Sequence, residues 1–88
     1  MNYKVFAVYD RIAQIYGVPN FNNSKGSTIR AFTDMVNKAE ENNQFYQHPD
    51  DFDLYYLGEY NDADGVFTME DKPELMARGA NVKITKQG

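Results

Sequence analysis

Leu54-Tyr55-Tyr56-Leu57-Gly58-Glu59-Tyr60-Asn61-Asp62-Ala63-Asp64-Gly65-Val66-Phe67-Thr68-Met69 is the stretch that decides the fold. Leu54 to Tyr60 is dense in aromatic residues and reads as a strand, with Gly58 marking a bulge. Asp62-Ala63-Asp64-Gly65 is a tight turn, and Val66 to Met69 returns as the paired strand. A hairpin over 54–69 therefore anchors an antiparallel sheet.

Working outward, Tyr3 to Tyr9 (YKVFAVY) reads as a central strand. Tyr3, Val5, Ala7 and Tyr9 fall on one face, and Lys4, Phe6 and Val8 on the other. Asp10 to Tyr16 fits an extended bulge or one helical turn. Gly17 to Asn23 contains Pro19, which suits a short edge strand. Ser24 is an N-cap for a helix whose apolar stripe is Ile29, Phe32, Met35, Val36 and Ala39, ended by Asn42-Asn43; Ser27 and Thr28 are alternative caps. Phe45 to Phe52 reads as a compact turn or one-turn helix, with Pro49 at a first helical position. Pro73 to Arg78 reads as a short helix ended by Gly79, and Asn81 to Thr85 as an exposed edge strand. The expected architecture is α+β: a small antiparallel sheet of three to five strands with one main amphipathic helix packed on one face.

The 88 residues make one domain, 1–88, with 86–88 a frayed tail. There is no Cys, so disulfides and thiolate metal sites are excluded. No apolar run is long enough to span a membrane, and the N-terminus enters a strand pattern without the order of a signal peptide. The expectation is a protein working in the cytoplasm of its cell.

Charge is sorted along the chain. Residues 1–39 carry Lys4, Arg11, Lys25, Arg30 and Lys38 against Asp10 and Asp34. Residues 40–71 contain ten acidic residues and no Lys or Arg. Residues 72–88 carry Lys72, Arg78, Lys83 and Lys86 against Glu74, and the whole chain sums to −4. A net acidic protein is repelled by nucleic acid at long range, yet two basic ends that meet in space still make a basic face.

Enzymatic and metal signatures are weak. The single His48 has no nucleophile motif to serve and reads as a turn residue. Placing Gly65 at the glycine of a calcium loop puts Tyr60 where the first acidic ligand belongs, so the stretch is a hairpin turn. Asp50, Asp51, Asp53 and Glu59 show no spacing that singles out a catalytic pair, and Lys25-Gly26-Ser27 lacks the upstream Gly of a phosphate loop. No catalytic residue, metal ligand or cofactor is assigned. The remaining candidates are cations for phosphates (Lys4, Arg11, Lys25, Arg30) and tyrosines for base stacking (Tyr9, Tyr16).

Tyr3 to Asp10, Ser24 to Asn37 (SKGSTIRAFTDMVN), Phe45 to Tyr55 (FYQHPDDFDLY) and Leu57-Gly58-Glu59-Tyr60 occur in this order. Together they resemble the non-structural protein of gokushovirus-type Microviridae, small phages with single-stranded DNA genomes. The resemblance implies a DNA-binding protein, absent from the capsid, acting in viral DNA replication or in the switch to single-strand synthesis and packaging. It implies the host bacterial cytoplasm and single-stranded DNA as partner. Two further partners follow from the residues: a basic phage or host protein docked on the acidic middle, and a second copy paired through the Val82 and Ile84 edge.

Overall fold

Tyr3 to Tyr9 lies within the first element, β1 (Asn2–Asp10), and both of its edges are occupied. The computed structural model describes residues 1–84. On one edge β1 pairs with β2 (Ile15–Tyr16) and β3 (Asn20–Asn22), and on the other with β4 (Phe52–Asn61), which pairs in turn with β5 (Val66–Arg78). All pairings are antiparallel. Asp10 closes the β1–β2 turn by accepting the Ile12 and Ala13 amides on its Oδ1. Pro19 sits between β2 and β3, so the outer edge is broken where no ladder bond is required.

The sequence between β3 and β4 folds into helices on one face of the sheet. α1 (Lys25–Val36) is capped by Ser24, whose side chain accepts the Ser27 amide. Thr28, Phe32 and Val36 are buried along it. Phe32, Val36 and Ile29 meet Phe6, Val8, Leu54 and Tyr56 of the sheet in one apolar cluster. The expected stripe is too wide. Met35 is 40% exposed, and Ala39 lies beyond the helix end. Asn37 rather than Asn42-Asn43 ends the helix: its backbone amide donates to the Met35 and Thr33 carbonyls. α2 (Gln44–Gln47) and a 3₁₀ turn (Pro49–Asp51) follow, with Pro49 at the start of the turn as expected.

Two C-terminal expectations are overturned. Pro73 to Arg78 is not a helix but the end of β5. Glu74, Leu75, Ala77 and Arg78 sit opposite Tyr56, Tyr55, Leu54 and Asp53, so the demand of the β4 edge for a partner overrides local propensity. Pro73 falls in a stretch between Met69 and Glu74 with no register partner, where its missing N–H costs no ladder bond. Nor are residues 81–84 an edge strand. Gly79–Val82 is a helical turn, α3. The Asn37 amide donates to the Val82 carbonyl at 3.0 Å, and Asn37 Oδ1 accepts the Ile84 amide at 2.6 Å. Those two groups are therefore taken up within the chain and not left free as on an open strand edge. Thr85 and the expected tail at 86–88 lie outside the described residues. Gly79 has a different role from the expected stop signal. A Cβ there would collide with the Pro49 and Phe52 carbonyls, so only Gly lets α3 sit on the 3₁₀ turn.

The narrow helix stripe makes a direct prediction. Phe32→Ala removes a ring that is 2% exposed and should cost about 3–5 kcal/mol, while Met35→Ala should stay within about 0.5 kcal/mol. Urea denaturation of the two variants checks it, and equal losses would place Met35 in the core after all.

Candidate functional site

The face of the sheet away from α1 carries the candidate site, and strand register builds it. Four rows cross the sheet. Tyr3, Tyr60 and Phe67 are partners in the first. Phe21, Val5, Gly58 and Met69 form the second. Ala7, Tyr55 and Leu75 form the third, and Tyr16, Tyr9, Asp53 and Arg78 the fourth. Successive rows lie two residues apart on β1, about 6.6 Å at the strand rise.

One irregularity makes the rows possible. Tyr55 and Tyr60 are an odd number of residues apart, so a regular strand would send them to opposite faces. Between Val5 and Phe6 the register slips: Val5 faces Gly58 while Phe6 faces Tyr56, leaving Leu57 as the extra residue of a bulge. Both tyrosines thereby reach the open face. Gly58 has φ +151°, and a Cβ there would stand 2.5 Å from the Thr68 carbonyl oxygen, so the bulge requires glycine.

The rings gather in two clusters. Tyr9 and Tyr16 lie 4.7 Å apart, with Tyr55 at 6.1 and 5.6 Å from them. Tyr60 and Phe67 lie 4.7 Å apart, with Phe21 at 6.0 and 6.3 Å. Tyr3, Phe21 and Tyr60 line a shallow apolar hollow. The small residues Val5 and Ala7 separate the clusters and are themselves buried. The outer rings are not: Tyr16 is 43% exposed, Phe21 51% and Phe67 53%. Burial between its neighbours pushes the Tyr16 phenol above its ordinary value of 10.0, with further upward pushes from Tyr55 and Tyr9.

The sequence-derived site residues do not all assemble here. Tyr9 and Tyr16 are neighbours on the open face. Arg11 stands at its fourth-row end, its Nε 3.9 Å from Asp53 Oδ2. Lys4 and Lys25 lie on the α1 side, around Tyr56. Lys4 donates to Glu59 at 3.1 Å. Lys25 donates to Glu74 at 3.5 Å, with its ammonium 4.4 Å from the centre of the Tyr56 ring. The hydrogen bond to Glu59 raises the Lys4 pKa above 10.5, and burial raises the Tyr56 phenol above 10.0. Arg30 is exposed on α1 and makes no ion pair among the described residues. The basic ends do meet, but on an acid: Arg78 also donates to Asp53 Oδ2, at 3.2 Å. Phe21, Tyr55, Tyr60, Phe67 and Arg78 were not singled out from the sequence, because their common face depends on the bulge and on β5 reaching residue 78. Among the described residues no group of three or more His, Asp or Glu is placed to hold a metal ion. No helix is long and apolar enough to cross a membrane.

Residues 3–82 match the family model described as Phage ORF5 protein. Over 64 residues the chain is 33% identical to the protein named Protein ORF5 of Chlamydia phage 1, covering 70% of this chain and 67% of that relative. No solved structure matches the chain.

The Tyr16 environment can be checked by titration. Phenolate absorbance near 295 nm should show a component rising above pH 10.0 that Tyr16→Phe removes. The protonated phenol is favoured in the fold, so its contribution is complete below pH 10.0 and is lost as pH rises through the folded value. A lost component that titrates at or below pH 10.0 would mean that the ring is not packed between its neighbours.

Proposed function

Because the chain belongs to the Phage ORF5 protein family, we propose that this phage protein binds single-stranded DNA. It would act in viral DNA replication or in the switch to single-strand synthesis and packaging, in the host bacterial cytoplasm. The observation that supports this reading is the open sheet face, with two aromatic clusters and half-exposed outer rings. Splayed bases stack on such rings whatever their sequence, for about 1–3 kcal/mol each, whereas a duplex keeps its base faces inside the helix. The face supports stacking more than charge neutralisation, since Asp53 and Arg78 are the charged residues of its four rows, with Arg11 beside them.

The test is fluorescence anisotropy of a labelled oligothymidylate at low and moderate salt, with duplex as competitor. Wild type should prefer the single strand. Tyr16→Ala and Phe21→Ala should each weaken binding about 5- to 150-fold, the equivalent of one lost stack. Arg30→Ala, on the far side of the molecule, should change little. Equal affinity for duplex, or indifference to both aromatic substitutions, would sink the reading.

A second reading has its own support. Of the ten acidic residues in 40–71, Glu41, Asp50, Asp51, Asp64, Glu70 and Asp71 make no ion pair among the described residues. A basic phage or host protein would find these carboxylates available. Reversal of Asp50 and Asp51 to Lys should abolish capture of such a partner without weakening oligonucleotide binding. A partner that persists after reversal removes the acidic dock.

A further inference from the structure

Among the described residues Asp53 is the one charged side chain buried inside the open face, with 4% of its side chain exposed. Two guanidiniums close on its Oδ2 from opposite sides. Arg78, its register partner on β5, donates through Nη1 at 3.2 Å. Arg11, from the β1–β2 turn, brings Nε to 3.9 Å. Arg11 is further fixed by donating its backbone amide to the Asp51 carbonyl at 2.8 Å and its Nη1 to the Asp50 carbonyl at 3.3 Å. Asp53 is the only carboxylate within ion-pair distance of either guanidinium among the described residues. Two positive charges on one carboxylate leave a local surplus of one.

A buried carboxylate needs partners, but one well-placed arginine supplies them. The second is more than the pair requires, and neither is buried. The Arg11 side chain is 52% exposed and that of Arg78 44%. Each guanidinium carries five donors in a fixed fork. Only one side-chain donor of each makes a hydrogen bond within the protein among the described residues. The remaining donors lie at the end of the row that continues into Tyr9 and Tyr16.

We propose that Arg11 and Arg78, held by Asp53, form a phosphodiester clamp at the end of the stacking face. A base placed on Tyr9, Tyr16 or Tyr55 would bring its backbone phosphate onto the two guanidiniums, which suit bidentate contact with phosphate oxygens. Asp50 and Asp51 stand on the adjacent 3₁₀ turn and make the surrounding field negative, so the clamp works at contact and not by long-range attraction. The proposal rests on the single-strand reading and adds to it the position of the phosphate and the register of the strand.

The test compares salt titrations of oligothymidylate binding. Each phosphate contact on a single strand contributes about 0.7 to the log–log salt slope. Arg11→Gln should reduce the slope by about that amount, while Tyr16→Ala should lower affinity and leave the slope alone. Since Arg78→Gln alone leaves a buried carboxylate short of a partner, Asp53→Asn with Arg78→Gln is the second variant, and it should lose about the same slope. Unchanged slopes in both would overturn the clamp while leaving the single-strand reading standing. If wild type does not bind the oligonucleotide at all, that reading fails first. The Nε–H resonances of Arg11 and Arg78 would then be followed by NMR during titration with inorganic phosphate. Saturable movement of both keeps the anion site, and the absence of movement removes it.

Discussion

The bulge at Leu57-Gly58 is the constraint on which the rest of the molecule depends. One extra residue in β4 changes the parity of everything beyond it. Before the bulge, Leu54 and Tyr56 point to the helices and Tyr55 to the open face. Beyond it, Glu59 points to the helices and Tyr60 to the open face. Without the extra residue, Tyr60 would face the α1 side and Glu59 would lie on the aromatic surface, away from Lys4. The same step therefore sorts the rings of the open face and closes the Lys4–Glu59 pair on the other. That it is built on a glycine with φ +151°, pressed against the Thr68 backbone, makes it a local event with consequences across the whole sheet.

The segregation of charge along the chain serves pairing more than display. Lys4 pairs with Glu59, Lys25 with Glu74, and Arg11 and Arg78 both with Asp53. Basic strands and turns from the two ends of the chain are laid against the acidic middle, so among the described residues no basic face forms by simple addition. These pairs differ in what they resist. Lys25 and Glu74 are both substantially exposed, and such a pair is screened and easily exchanged for another partner. Asp53 is buried and cannot be left alone, which fixes its arginines where they stand.

Much of the fold was legible in the residues. The 54–69 hairpin, the Tyr3 to Tyr9 strand, the Ser24 cap and the Gly58 bulge all follow from patterns that act over a few positions. What failed was decided at longer range. Pro73 to Arg78 has the composition of a helix, yet it borders an unpaired strand edge, and only the three-dimensional neighbour says so. Val82 and Ile84 alternate like a strand, but the Asn37 side chain, more than forty residues earlier, takes up the backbone groups around them. The site was legible in part. Tyr9 and Tyr16 were visible as aromatics interleaved with charge, and their contact at 4.7 Å follows from the β1–β2 turn. The assignment of Lys4 and Lys25 to the same surface ignored strand alternation, which places Lys4 on the face opposite Tyr3 and Tyr9. Arg78 was hidden by the helix reading of its segment.

A net charge of −4 and a stacking face are compatible because they act at different distances. Repulsion between the acidic residues and a polynucleotide is screened over about 8–10 Å at moderate salt. Stacking operates at contact and contributes about 1–3 kcal/mol per base. On the single-strand reading the long-range field slows approach, and the short-range surface decides which nucleic acid stays. A duplex meets the same repulsion, carries more phosphate charge per unit length and has no free base face to offer in return. On that reading the acidic middle works with the aromatic rows: it would raise the cost of every nucleic acid encounter, and only an unpaired strand would recover that cost on the open face.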